Sequence, residues 1–160
     1  MASTYFQRRI VLDEIAQRSN TASKKAARSV EILASLMQPD IELPADLKLL
    51  VAFIESDEAL SNDERTAYLI AIETTHRLKL KAAAQQLADE AKGDLASAET
   101  QYAAFLSDVA TQAEKSPDDK ALQVHAADAA LLAGELSQVK AEAAAQQSEV
   151  ARHKVPAGKD

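Results

Sequence analysis

Glu73-Thr74-Thr75-His76 sets a carboxylate and an imidazole three residues apart, one turn of helix. That step can deliver both groups to one metal ion, but a di-iron centre needs a second Glu-x-x-His and two further bridging Glu. The other two histidines, His125 and His153, are preceded at this spacing by Leu122 and Val150, so the second element is missing. His76 itself falls on an apolar stripe, where a partly buried, hydrogen-bonded imidazole is the ordinary outcome. No metal centre is expected.

Other chemistries fare no better. The chain has no Cys, which removes a thiolate ligand, a disulfide scaffold and a cysteine nucleophile together. A Ser or Thr nucleophile needs a base and an orienting acid, and three scattered histidines offer no such constellation. Gly93, Gly134 and Gly158 stand alone, so no glycine-rich loop can cradle a phosphate. The carboxylate pairs Asp89-Glu90 and Asp118-Asp119 sit at exposed or capping positions, with no apolar pocket to raise a pKa. The expectation is a protein without enzymatic activity and without a cofactor.

The elements that carry these residues are helical. About one residue in five of the 160 is alanine, aromatics make up 4%, and only three Gly and four Pro interrupt the chain. That composition suits neither a parallel α/β sheet nor a β-sandwich. Ser61-Asn62-Asp63-Glu64 reads as a capping box. From it an apolar stripe runs through Leu69, Ile72, His76, Leu80, Ala83, Leu87, Ala91, Leu95, Ala98, Tyr102, Phe105 and Val109 to Ala113, in steps of three or four. It keeps its phase across Gly93, which predicts one long helix, bent there at most. Ser116-Pro117 ends it and starts the next, with Ser116 as N-cap. The following stripe is Leu122, Ala126, Ala129, Leu132 or Ala133, Leu136, Val139, Ala143 and Val150.

The fold class is therefore all-α: an elongated helical bundle with a long antiparallel, coiled-coil-like hairpin over about 61–115 and 117–152. N-terminal helices occupy residues 1–56, and residues 153–160 read as a disordered tail. Between Thr4 and Met37 one stripe (Val11, Ile15, Ala22, Ala26, Val30, Leu33, Met37) is possible, and Asn20-Thr21 equally permits a turn between two helices. Pro44 begins a shorter helix through about Glu55. The hairpin register should set Tyr102–Phe105 opposite Ala129–Gly134, large against small. A two-helix hairpin cannot also bury the flanking Ile70, Leu78, Leu106 and Leu131. Leu78, Leu106 and Leu131 are thus the candidate contact residues, to be covered by the N-terminal helices or by a partner.

Net charge is −7, unevenly spread. Residues 1–30 carry six basic side chains against two acidic, and residues 38–64 carry one Lys against eight carboxylates. Within the basic part, residues 15–28 resemble a helix-turn-helix over about 20 residues. Ala16 would be the small contact, Asn20 the left-handed turn, and Arg18, Lys24, Lys25 and Arg28 the nucleic-acid side, although Ser19, Thr21 and Ala26 make a poor core for it. No apolar run approaches the ~20 residues that span a bilayer. The sequence thus points to a non-enzymatic assembly protein, a virion or scaffold-type subunit, that associates with itself or with other subunits and not with a membrane. Its expected location is the cytoplasm or a virion. The alternatives are a nucleic-acid-binding assembly factor using the basic segment and an acidic inhibitor that mimics nucleic acid.

Overall fold

A computed structural model describes residues 5–156, and among these it has four helices and no strand. They are α1 (Tyr5–Leu36), α2 (Ala45–Ser56), α3 (Asn62–Lys115) and α4 (Lys120–Arg152). The capping box opens α3 as expected. The Ser61 hydroxyl accepts the Glu64 N–H at 3.1 Å, and the Glu64 carboxylate accepts the Ser61 N–H at 3.2 Å. From there α3 runs unbroken through Gly93 for 54 residues, roughly 80 Å at the α-helical rise.

The turn into α4 is shifted from the reading at Ser116. Ser116 closes α3, its N–H donating to the Gln112 carbonyl at 2.9 Å, and Asp119 is the N-cap of α4. The Asp119 carboxylate accepts the Ala121 N–H at 2.9 Å. A carboxylate is a stronger acceptor for the exposed first-turn amides than a hydroxyl placed before a proline, so the helix starts later.

Helix α1 is continuous, which corrects the helix-turn-helix-like reading of residues 15–28. Arg18, Lys24, Lys25 and Arg28 lie on one straight element with no turn at Asn20. The small residues that made a poor core for a turn are seam residues instead: Ser19, Ala22 and Ala26 are all buried. Lys25 reaches Asp94 on α3 at 2.8 Å, and Arg28 pairs with Glu31 on its own helix at 2.9 Å.

Helices α1, α3 and α4 pack as a three-stranded bundle. Helix α1 runs antiparallel to α3, since Glu14 accepts from Gln101 and Ser29 donates to the Ala84 carbonyl. It runs parallel to α4, since Arg9 meets Asp128 and Ser29 meets Gln146. Buried positions recur strictly three and four apart. In α1 they are Arg8, Leu12, Ile15, Ser19, Ala22, Ala26, Ser29, Leu33 and Leu36. In α4 they are Leu122, His125, Ala129, Leu132, Leu136, Val139, Ala143, Gln146 and Val150. This seven-residue repeat belongs to a left-handed coiled coil.

The repeat also explains the misread positions. Ala91, Leu95, Ala98, Phe105 and Val109 are buried as expected, but before them the buried residues are Arg77, Ala84 and Ala88. His76, Ala83 and Leu87, one position earlier, are only partly covered. The stripe takes a step of four from Leu87 to Ala91, where the packed seam alternates three and four and takes three, from Ala88 to Ala91. For the same reason Val30 and Met37 are exposed on α1, and His125 takes the buried place assigned to Ala126. The expected register of the hairpin holds: the Tyr102 hydroxyl donates to the Ala129 carbonyl at 2.9 Å. Residues 153–156 of the tail have no regular secondary structure, and residues 157–160, like Thr4, lie outside the described residues.

Candidate interaction surface

The first turns of α3 outrun the bundle. Helix α1 ends level with Arg77, whose guanidinium donates to the Leu36 carbonyl at 2.9 Å. Near the end of α4, Val150 packs with Leu33 and Ala84. Residues 62–76 of α3 therefore project beyond both neighbours, and α2 is the helix that lies against them. The two form a hairpin about 20 Å long, open on one side.

Two arginines of α3 tie α2 down. Arg77 is buried and also donates to the Gln38 and Pro39 carbonyls at 3.2 Å, with Glu73 as its ion-pair partner at 2.9 Å. Arg65 donates to the carbonyls of Ile54 at 3.2 Å, Asp57 at 2.7 Å and Leu60 at 3.2 Å. The segments before and after α2 are thus held by charge-assisted hydrogen bonds, which are the strong kind. Apolar packing contributes less, because Ile54 is the buried residue of α2.

Three large apolar side chains of α2 stay in solvent, while Leu47 and Val51 are half-buried. Leu49 is 73% exposed, Phe53 67%, and Leu50 44%, and Tyr68 of α3 is 50% exposed beside them. Together with Ile54 and Ile72 the latter three line a groove of about 550 Å³ between α2 and α3. Two charged side chains, Asp57 and Lys79, stand at its opposite ends, with His76 in its wall. His76 accordingly belongs to this groove and not to the coil seam. Its sequence neighbour Glu73 is engaged by Arg77, and among the described residues no three His, Asp or Glu converge as a metal site.

The residues singled out from the sequence are exposed but scattered. Leu78 is 53%, Leu106 41% and Leu131 75% exposed. Leu78 and Leu106 are separated by about 40 Å along α3, so the three share no single patch. Leu131 borders a shallow hollow on the α1–α4 seam beside Leu12 and the Arg9–Asp128 ion pair. Leu49, Leu50, Phe53 and Tyr68 were not picked out. The available signal was the run Leu47-Lys48-Leu49-Leu50-Val51-Ala52-Phe53-Ile54, apolar nearly all round a short helix. A helix of that kind must be covered on more than one side.

A buried histidine lies at the far end of the bundle. The His125 ring is fully buried, 4.7 Å from the Tyr5 ring and 6.3 Å edge-on to Phe105. Neither ring nitrogen has a hydrogen-bond partner among the described residues. Burial pushes its pKa below the usual histidine value, and the nearby Arg8 acts in the same direction. It is a neutral core side chain.

Comparison with protein-family models, curated proteins and solved structures returned no match. Among the described residues no helix is long and apolar enough to cross a membrane.

Proposed function

We propose that this protein is a non-enzymatic helical assembly subunit that works by docking through the α2–α3 hairpin. The observation that carries this reading is the open apolar groove, with Phe53, Leu50 and Tyr68 exposed along it. Scattered surface leucines are ordinary, whereas contiguous apolar side chains along a groove mark a contact site. The rest of the molecule supports the same role. A stiff rod of three helices carries the groove at one end, away from the bundle core, where a partner reaches it without clash.

Three basic side chains of α1 are engaged by carboxylates, which weighs against nucleic-acid binding, whereas Arg18 and Lys24 are exposed. Arg9, Lys25 and Arg28 each have a carboxylate within 3 Å. Phosphate contact would have to displace those partners.

A photo-reactive amino acid at position 53, in the full-length chain in its own cells, tests the proposal. The same group at position 78 serves as the control. Adducts with protein at 53 in clear excess over 78 are expected. Equal or absent labelling at 53 would remove the assembly role from this groove.

A further inference from the structure

We infer that the groove is filled by a second copy of this chain, docked antiparallel about a two-fold axis beside Ile72. This names the partner for the assembly role proposed above and rests on that reading.

The argument starts from the charges in the groove. Asp57 lies at the hairpin tip, level with Arg65 of α3, which donates to its carbonyl. Lys79 lies at the foot. The levels of residues 65 and 79 are equidistant from Ile72, seven residues or about 10 Å to either side. Rotation by 180° about an axis at Ile72 therefore sets Asp57 of each copy against Lys79 of the other, twice over. Parallel docking would instead oppose Asp57 to Asp57 and Lys79 to Lys79. Around the tip Glu55, Glu58, Asp63 and Glu64 accompany Asp57 beside the Arg65 guanidinium, and at the foot Lys81 follows Lys79, with Lys48 paired to Glu42 and Asp46 in the first turn of α2.

The apolar residues obey the same symmetry. Tyr68 and His76 are also equidistant from Ile72, so each exposed phenol ring meets an imidazole of the other copy. Ala71, the small residue of the groove, lies beside the axis and lets the two α3 helices approach. Two open helical hairpins stacked in this way make a closed four-helix bundle, the ordinary solution for such faces. An isologous contact also closes at two copies. A groove built for a foreign basic helix would carry acid along its whole length, and Lys79 breaks that pattern.

The dimer has a distinctive shape. The two α3 helices overlap only near their N-termini, so the rods extend in opposite directions to roughly 130 Å end to end. Side-by-side pairing of the bundles would give about 80 Å.

The experiment is sedimentation equilibrium on the full chain from about 1 to 300 µM, with X-ray scattering at the upper end. The expected result is a reversible dimer with a maximum dimension near 130 Å. Phe53→Glu should be monomeric with unchanged helicity, because that side chain lies outside the core. Asp57→Lys alone and Lys79→Glu alone should each weaken the dimer at least tenfold, since each sets like charges together at both ends. An equimolar mixture of the two variants should dimerise nearly as tightly as the wild type, because the heterodimer restores both opposite-charge pairs. Lys79→Glu changes an exposed side chain, so its effect stands even where Asp57→Lys disturbs the loop. A wild-type chain that stays monomeric throughout, an 80 Å dimer, or a mixture no tighter than its components overturns the inference. Adducts at position 53 solely with a different protein also overturn it while leaving the assembly role standing. Absence of any adduct there ends both.

Discussion

Arg65 and Arg77 bracket α2 from the helix beneath it. They are twelve residues apart on α3, and α2 is itself 12 residues long, so each guanidinium arrives at one end of the shorter helix. Arg77 collects the carbonyls of Leu36, Gln38 and Pro39, and Arg65 those of Ile54, Asp57 and Leu60. Six main-chain carbonyls are engaged this way, of which those of Ile54 and Asp57 also accept a main-chain N–H. The short helix is positioned mainly at its ends, which leaves its apolar flank free for contact.

Arg77→Met should loosen this hairpin without melting the rod. It leaves the Leu36, Gln38 and Pro39 carbonyls without their donor, at a cost of about 2–3 kcal/mol. Amide exchange in residues 45–56 should accelerate more than tenfold, while residues 84–109 keep their protection. Simultaneous loss of protection in both segments would make the arginine part of the bundle core instead.

Gly93 offers a gain in stability. It is exposed inside α3, and a β-carbon added there meets nothing within 4 Å. Gly93→Ala should raise stability by about 0.5–1 kcal/mol, read as an upward shift of the urea midpoint with unchanged slope. A decrease would mean that the helix is bent or locally open at that point.

The buried Ser29 pins the three helices to one register. Its hydroxyl donates to the Ala84 carbonyl of α3 at 2.8 Å and accepts from the Gln146 amide of α4 at 3.0 Å. Ser29→Ala strands the Gln146 amide, so a loss of about 1–3 kcal/mol is expected. Gln146→Leu added to it should cost less than the two changes made separately. Strict additivity in the double-mutant cycle would show that the pair is not coupled.

His125 should make the rod acid-sensitive. Its folded pKa lies below the ordinary 6.5, mainly through burial, with Arg8 and Arg9 opposing protonation and Asp128 and Asp119 favouring it. Above pH 6.5 both folded and unfolded chains hold it neutral, so it has no effect on stability there. As the pH falls below that value the unfolded chain takes up the proton first, and stability drops until the folded pKa is reached. The slope from this one group is at most about 1.4 kcal/mol per pH unit. Denaturant melts at pH 7 and pH 5 should show the loss, and His125→Leu should reduce it. Identical losses in both proteins would assign the acid sensitivity to the carboxylates.

Features made within a few residues of chain could be read without the structure. The Ser61–Glu64 capping box depends only on groups three positions apart, and it forms. The long α3 and α4 follow from their stripes, and the short Ser116–Asp119 turn makes them antiparallel. With that turn in place, Tyr102 had to meet the Ala129 level. What lay beyond reach depended on neighbours. Whether Asn20 turned or continued was decided by the α3–α4 surface, which buries Ser19, Ala22 and Ala26 of a straight α1. The exchanges of His76 for Arg77 and of Ala126 for His125 come from the strict alternation of three and four that packing imposes on a seam, a relation between helices that a single helix does not possess. The face of α2 left in solvent was settled by length: α1 and α4 stop short of residues 62–76, and no other described helix covers Leu50, Phe53 and Tyr68. Local hydrogen bonds and caps are written in adjacent residues, whereas burial is a relation between distant ones, and only the packed bundle decides it.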